Sequence, residues 1–311
     1  MEDSIMTIPD NYVLKVLTLD PRPEIEINKE CFCELKSAKQ TLLKALACEE
    51  KYEMVIYNYL VLEKEFSGIA IQEMIRSSFR QNDFFALRLS ANINIANLLS
   101  SSRLYTGSLF KDISACLQDS GGGEKIKKIV NEEYQNNFHY RFIHELRNYT
   151  QHDALPTHSI RIGERLTKNK HVEGYSDFFV NKKILSEGNF KREILDEMEE
   201  DVNLILAIRH YIEAVSKIHI QARGLIEPQV AEARRCVEAA INRYKVANAE
   251  NNSVIALYAV SYNELNSEIE KFSLPVLLDR DDIRLNLKDK NRKQLSNLHR
   301  WYATTQTDRK N

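Results

Sequence analysis

The stretch Phe138-His-Tyr-Arg-Phe-Ile-His-Glu-Leu-Arg-Asn-Tyr-Thr-Gln-His152 decides how the chain is read. Tyr134, Phe138, Phe142, Leu146 and Tyr149 recur at intervals of three and four, so one apolar stripe of an amphipathic helix should be buried. Away from that stripe, His144, Asn148 and His152 follow one another every four residues, which stacks them on a shared face. Arg147 lies about 100° around the helix from Asn148, within reach of that face for so long a side chain. Pro156 disfavours helix at Leu155, so the helix should stop just after His152. The polar cluster then sits at a helix C-terminus, where protonated side chains are stabilised by the macrodipole.

Composition limits what can surround that helix. The 311 residues, 43% of them hydrophobic, suffice for one large domain or two smaller ones. Nine glycines and six prolines disfavour a β-sandwich or a disordered chain and favour helices. A net charge of −2 excludes a globally basic nucleic-acid binder, so any RNA contact needs a local patch. The five cysteines are scattered apart from Cys31 and Cys33, and read as reduced thiols of a cytosolic chain. The start Met-Glu-Asp-Ser-Ile-Met lacks the basic and apolar regions of a secretory signal. No apolar run approaches the roughly 20 residues of a bilayer span. A cytoplasmic protein without membrane contact is expected.

Taken in order, residues 1–33 form an extended N-terminal segment, with short strands at Tyr12–Thr18 and Ile25–Ile27 around the Asp20–Pro23 turn. They could pair with strands elsewhere in the chain. Glu34–Ser67 is helical, with a possible break near Ala47–Lys51, a cap at Gly68 and a short helix over Ile69–Gln81. Asn82 or Asp83 caps the next helix, which runs to Leu117 with a kink expected near Ser100–Ser102 and Gly107. The glycine run 121–123 reads as a helix–helix linker; it lacks the spacing of a phosphate-cradling loop. Lys125, Lys127 and Lys128 then open the helix that ends at His152. A β-hairpin is predicted near 158–182 from the alternation at Ile160–Ile162 and Phe178–Val180. Asn189 should cap a helix over Phe190–Gln221, interrupted by Gly224 and Pro228 and resumed over Val230–Val246. After the polar linker Asn248–Asn252, residues 248–311 read as a helical extension and tail. Their signals are Ser253–Tyr258, a Ser261-x-x-Glu264 capping box and Ser273–Leu278. Lys288, Arg292 and Lys293 near Trp301 fit a solvated terminus better than an RNA-stacking patch. The fold class is all-α, a mainly α helical bundle with a small β-hairpin and a short extended N-terminal segment.

Several readings compete for Arg147-Asn-Tyr-Thr-Gln-His152. In the plainest, His152 ends a helix and Arg147 salt-bridges a neighbour. A zinc site from His139, His144, His152 and His158 is disfavoured, because the intervals of five, eight and six do not suit ligation on one helix. An arginine, a following asparagine, three more residues and a histidine, near the end of a long helix, resemble the motif of the HEPN family. The surrounding helices match over residues 34–247; the first and last segments of the chain are not explained by the resemblance.

That resemblance implies a metal-independent endoribonuclease, needing no cofactor, that cuts RNA across a homodimer. Arg147, Asn148 and His152 would be its catalytic residues, with His144, Tyr149 and Arg141 as accessory candidates. It also implies a toxin or phage-defence setting with a neutralising or regulatory protein partner. The residue types suit the chemistry independently. Histidine carries protons near neutral pH. Arginine offers a permanently charged planar fork that matches phosphate. A non-catalytic helical module of the same type, binding a partner protein or a nucleotide, is the alternative.

Overall fold

In a computed structural model of the chain, residues 11–18, 22–75, 81–168, 170–248, 256–263 and 266–300 are described. The elements in order are β1 (Tyr12–Val16), β2 (Ile25–Ile27), α1 (Lys29–Ile75), α2 (Gln81–Leu117), α3 (Ser120–Asn136), α4 (Phe138–His152), β3 (Ser159–Leu166) and β4 (Val172–Asn181). There follow α5 (Lys182–Ser186), α6 (Arg192–Glu197), β5 (Asp201–Asn203), α7 (Leu204–Ala247), β6 (Leu257–Asn263), β7 (Asn266–Pro275), α8 (Asp279–Lys290) and a 3-10 turn at Leu298–Arg300. The chain is mainly helical. No helix of the described residues is long and apolar enough to cross a membrane. The residues gather into two compact units, one from 1–50, 111–123 and 223–290, the other from 51–110, 124–222 and 291–311.

The first unit holds an antiparallel sheet in the order β2-β1-β6-β7. β1 pairs with β2, Tyr12 facing Ile27, and with β6, Val13 facing Val260 and Val16 facing Leu257. Tyr12, Val13, Leu14 and Val16 are buried, as are Phe32, Leu35, Leu42 and Leu46 of α1. Full burial of such side chains contributes about 1.5–3 kcal/mol each. Arg223 grips buried Glu49 with two bonds of 2.8 and 2.7 Å. Arg234 reaches Asp281 at 2.6 Å, and Asp281 also accepts from Arg284.

The second unit carries the sheet β3-β4-β5 and the α4 helix. Ser159 faces Phe179 and Leu166 faces Val172 across the predicted hairpin. It lies against α1, where Phe66 and Phe178 meet ring to ring at 4.7 Å and Ser176 Oγ donates to the Phe66 carbonyl at 3.0 Å. Gly174 permits this approach, since a Cβ there would stand 2.7 Å from the Ala70 carbonyl oxygen. Tyr140 stacks on Tyr211, and Phe142 packs against Phe190.

Several expectations need correction. The breaks expected at Ala47–Lys51 and Gly68 are absent, because α1 runs unbroken from Lys29 to Ile75. Its buried residues Leu46, Tyr52, Val55, Tyr59, Leu62, Phe66 and Ile69 carry the helical period across both places. The glycine run is no linker but the first turn of α3, with Asp119 Oδ1 accepting from the Gly121 N–H at 2.9 Å. Conversely, the helix expected to run from Lys125 to His152 is broken at Asn137, whose side chain caps α4 by accepting from the Tyr140 N–H. Gly224 and Pro228 do not interrupt α7. Gly224 stands at the position whose carbonyl the Pro228 ring crowds, and nothing lies within 4 Å of its would-be Cβ.

Phe190–Gln221 is not one helix. Asn189 caps nothing there; α6, β5 and then α7 follow, α7 being capped by Asn203 Oδ1 on the Leu206 N–H. Where a helical extension was expected after 248, the hairpin β6–β7 completes the β1–β2 sheet before α8 begins. Ser261 of the expected capping box lies in β6. Glu264 and Trp301, with residues 249–255, lie outside the described residues. Lys288 of the basic tail pairs with Glu227 at 2.6 Å. All five cysteines are free thiols.

Candidate functional site

α4 stops at His152, as Pro156 requires, and the Asp153 N–H closes the last turn on the Tyr149 carbonyl at 2.8 Å. The helix buries Tyr140, Phe142, Ile143, Leu146 and Tyr149 together with the carboxylate of Glu145, and leaves Arg147 and Asn148 half-buried and His152 exposed. Arg147 bends toward the His144–Asn148–His152 face: its Nη1 donates to Asn148 Oδ1 at 3.1 Å. The Asn148 amide in turn donates from Nδ2 to Glu145 Oε2 at 3.2 Å, and Lys191 Nζ stands 3.5 Å from the same oxygen. Glu145 is buried, so this one carboxylate anchors a chain of cations and amides.

A further cation completes the group. Arg103, exposed on α2, has no hydrogen-bond or ion-pair partner among the described residues, yet its charge is felt by both Arg147 and His144. Burial and then Arg103 lower the Arg147 guanidinium, which stays charged. Its Nε is buried with no hydrogen-bond partner. Burial acts first on the His144 imidazole, lowering its pKa with help from Arg103, Lys191 and Arg147, against Glu145. The neutral, proton-accepting form is therefore favoured at neutral pH. For Lys191, burial alone would lower the ammonium; Glu145 and Tyr134 more than reverse this, so it is raised.

Three cations, Arg103, Arg147 and Lys191, thus stand against one buried carboxylate, Glu145, which Lys191 pairs directly and Arg147 reaches only through Asn148. This excess of positive charge suits an anion such as a phosphate. His152, exposed in the last turn of α4, has no hydrogen-bond partner among the described residues. Arg147 and His152 lie roughly 140° apart around α4, so the Arg147–Asn148 bond is what carries the guanidinium toward the histidine face.

The accessory candidates separate. Arg141 closes the end of α3, donating to the Tyr134 and Gln135 carbonyls at 2.8 and 2.6 Å, and pairs with Glu197 at 2.6 Å. Tyr149 is core: its ring meets Phe190 and His158, and Gly188 makes room for it. Only His144 stays beside Arg147 and Asn148. The four histidines of the zinc reading do not converge. His158 Nδ1 accepts from the Asn181 N–H at 3.0 Å, and His139 stacks on His210 at 4.7 Å. Burial, then His210, pushes His139 down to about 4, against Glu213.

Sequence reasoning missed Arg103 and Lys191. Neither stands at helical spacing from Arg147; one arrives from α2, the other from the turn before α6. It also missed His210, Glu213 and His299. The i, i+3 spacing of His210 and Glu213 was the available signal. No family model matches the chain, and neither a curated protein nor a solved structure is significantly similar to it.

Proposed function

We propose that the chain is a metal-independent endoribonuclease of HEPN-like type, with Arg147, Asn148 and His152 as its working residues. The observation that carries this reading is the excess of cations beside Arg147, with Arg103 acting on it, Lys191 on the one buried carboxylate Glu145, and the exposed His152 on the same helix. Arg147 and Arg103 would hold the scissile phosphate and oppose the charge that gathers on it. His152 would move the proton of the attacking 2′-hydroxyl or of the leaving 5′-oxygen. Asn148 holds the guanidinium in place through its carbonyl oxygen. His144, kept neutral, is a second proton acceptor within the group. A reaction that takes one proton and gives another favours two copies of the motif, and so a homodimer. A nuclease of this kind in a toxin or phage-defence setting would be held in check by a protein partner.

The test is product chemistry. RNA incubated with the purified protein should be cut in excess EDTA, leaving 2′,3′-cyclic phosphate and 5′-hydroxyl ends, while DNA stays intact. His152→Ala should lower the rate by roughly 10²–10⁴. Arg147→Ala should cost about 10²–10³, with Arg147→Lys recovering only part because the ammonium lacks the fork. Cleavage abolished by EDTA, or 5′-phosphate products, would defeat the mechanism. RNA binding without any cutting would point instead to a non-catalytic module.

A further inference from the structure

His210 and Glu213 stand one turn apart on α7, and His299 reaches the same carboxylate from the 3-10 turn near the end of the described chain. His210 Nδ1 lies 3.5 Å from Glu213 Oε2, and His299 Nδ1 lies 3.8 Å from Glu213 Oε1. One donor atom from each of the three residues can be chosen so that all lie within 4.8 Å of one another. A tetrahedral zinc with bonds of about 2.0–2.1 Å keeps its ligand atoms roughly 3.3 Å apart. The two short approaches end on different oxygens of the Glu213 carboxylate, so a small closure of both imidazoles onto that carboxylate brings the three ligands to bonding range of one ion.

The arrangement does not depend on a metal to hold it. Leu295 N–H donates to Ser216 Oγ at 2.9 Å and Leu298 N–H donates to Glu213 Oε1, so the main chain delivers His299 to α7. On α4, His139 stacks on His210 with planes 9° apart, and the His299 ring stands 4.9 Å from His210 on a tilt. The side chains of His210, Glu213 and His299 are 27%, 20% and 31% exposed, which leaves an approach for an ion and for one water. An imidazole bound through Nδ1 carries its proton on Nε2. The exposed Arg300, which now donates to His299 Nε2 at 3.2 Å, would have to swing aside.

We propose that His210, Glu213 and His299 form a site for one divalent transition metal of the zinc class, with water at the fourth position. Two imidazoles and a carboxylate suit a borderline ion; magnesium and calcium call for oxygen donors alone. Bound there, the ion clamps residues 291–300 to α7. None of the three ligands belongs to the Arg147 group, so the site is independent of RNA cleavage and of that reading.

The test uses the full chain, stripped with chelator and titrated with zinc chloride by calorimetry at neutral pH. One zinc per chain is expected, with a rise in melting temperature and slower hydrogen exchange over residues 291–300. Changes behind the ligands of a metal site cost about 10–100-fold in affinity, so removing a ligand should cost at least that. His299→Ala tests this on an exposed residue whose loss leaves the core intact, and Glu213→Gln tests the carboxylate. Arg147→Ala should bind zinc like the wild type. The proposal fails if the wild type takes up no zinc at micromolar concentration. It fails equally if His299→Ala and Glu213→Gln bind as tightly as the wild type, which would place the ion elsewhere on the chain.

Discussion

Arg103 adds to the effect of burial on residues far from it in sequence. It has no partner to neutralise it among the described residues and presses on both His144 and Arg147. Replacing it with alanine should raise the His144 pKa toward the ordinary value near 6.5, as a histidine titration followed by NMR would show. A pKa left unmoved would mean that burial, with Lys191 and Arg147, sets it without Arg103. His144 and His158 are both lowered chiefly by burial, so the folded chain resists taking up protons that the unfolded chain accepts. Their contribution to stability is complete above pH ~6.5 and is lost as the pH falls through their depressed folded values. Urea midpoints should therefore drop between neutral and mildly acidic pH, and His144→Gln should make the drop smaller.

α4 depends on a start signal that its own apolar period hides. Tyr134 and Phe138 continue the stripe across Asn137, yet the Asn137 side chain satisfies the Tyr140 N–H and starts a new helix. The Arg141 fork on the Tyr134 and Gln135 carbonyls seals the end of α3 at the same place. Asn137→Ala should cost about 1 kcal/mol of stability, and Asn137→Ser much less, because serine caps nearly as well. Equal losses in the two variants, measured by chemical denaturation, would argue that asparagine does something other than cap. Pro228 illustrates the opposite case. Ile226, Val230, Ala233 and Val237 are buried on both sides of it, and that packing outweighs the local preference to stop.

For the whole molecule, the reading as a nuclease favours a second copy, because His152 is the only exposed histidine of the Arg147 group. Light scattering on the purified chain should give twice the 36.1 kDa of one chain. Mixing inactive His152→Ala with inactive Arg147→Ala protein should restore part of the activity if sites form across the pair. A monomer that cuts RNA at full rate would refute the dimer without touching the chemistry.

Local pattern was enough for the helical character, the end of α4 at His152, the hairpin over 158–182 and the two N-terminal strands. Each rests on neighbours a few residues apart: a period of four, a period of two, or a proline that bars the next turn. The shared face of His144, Asn148 and His152 was legible for the same reason, and the Arg147–Asn148 bond lies within it. Other features rest on partners distant in sequence. Strand β1 finds β6 only through folding, so the last segment could not be read as sheet from its own residues. α1 and α7 pass their glycines and proline because burial along their length outweighs local propensity. Arg103 and Lys191 join Arg147, and His299 joins His210, across separations that no spacing rule spans. Charge and coordination act through space, and only the tertiary structure brings those groups together.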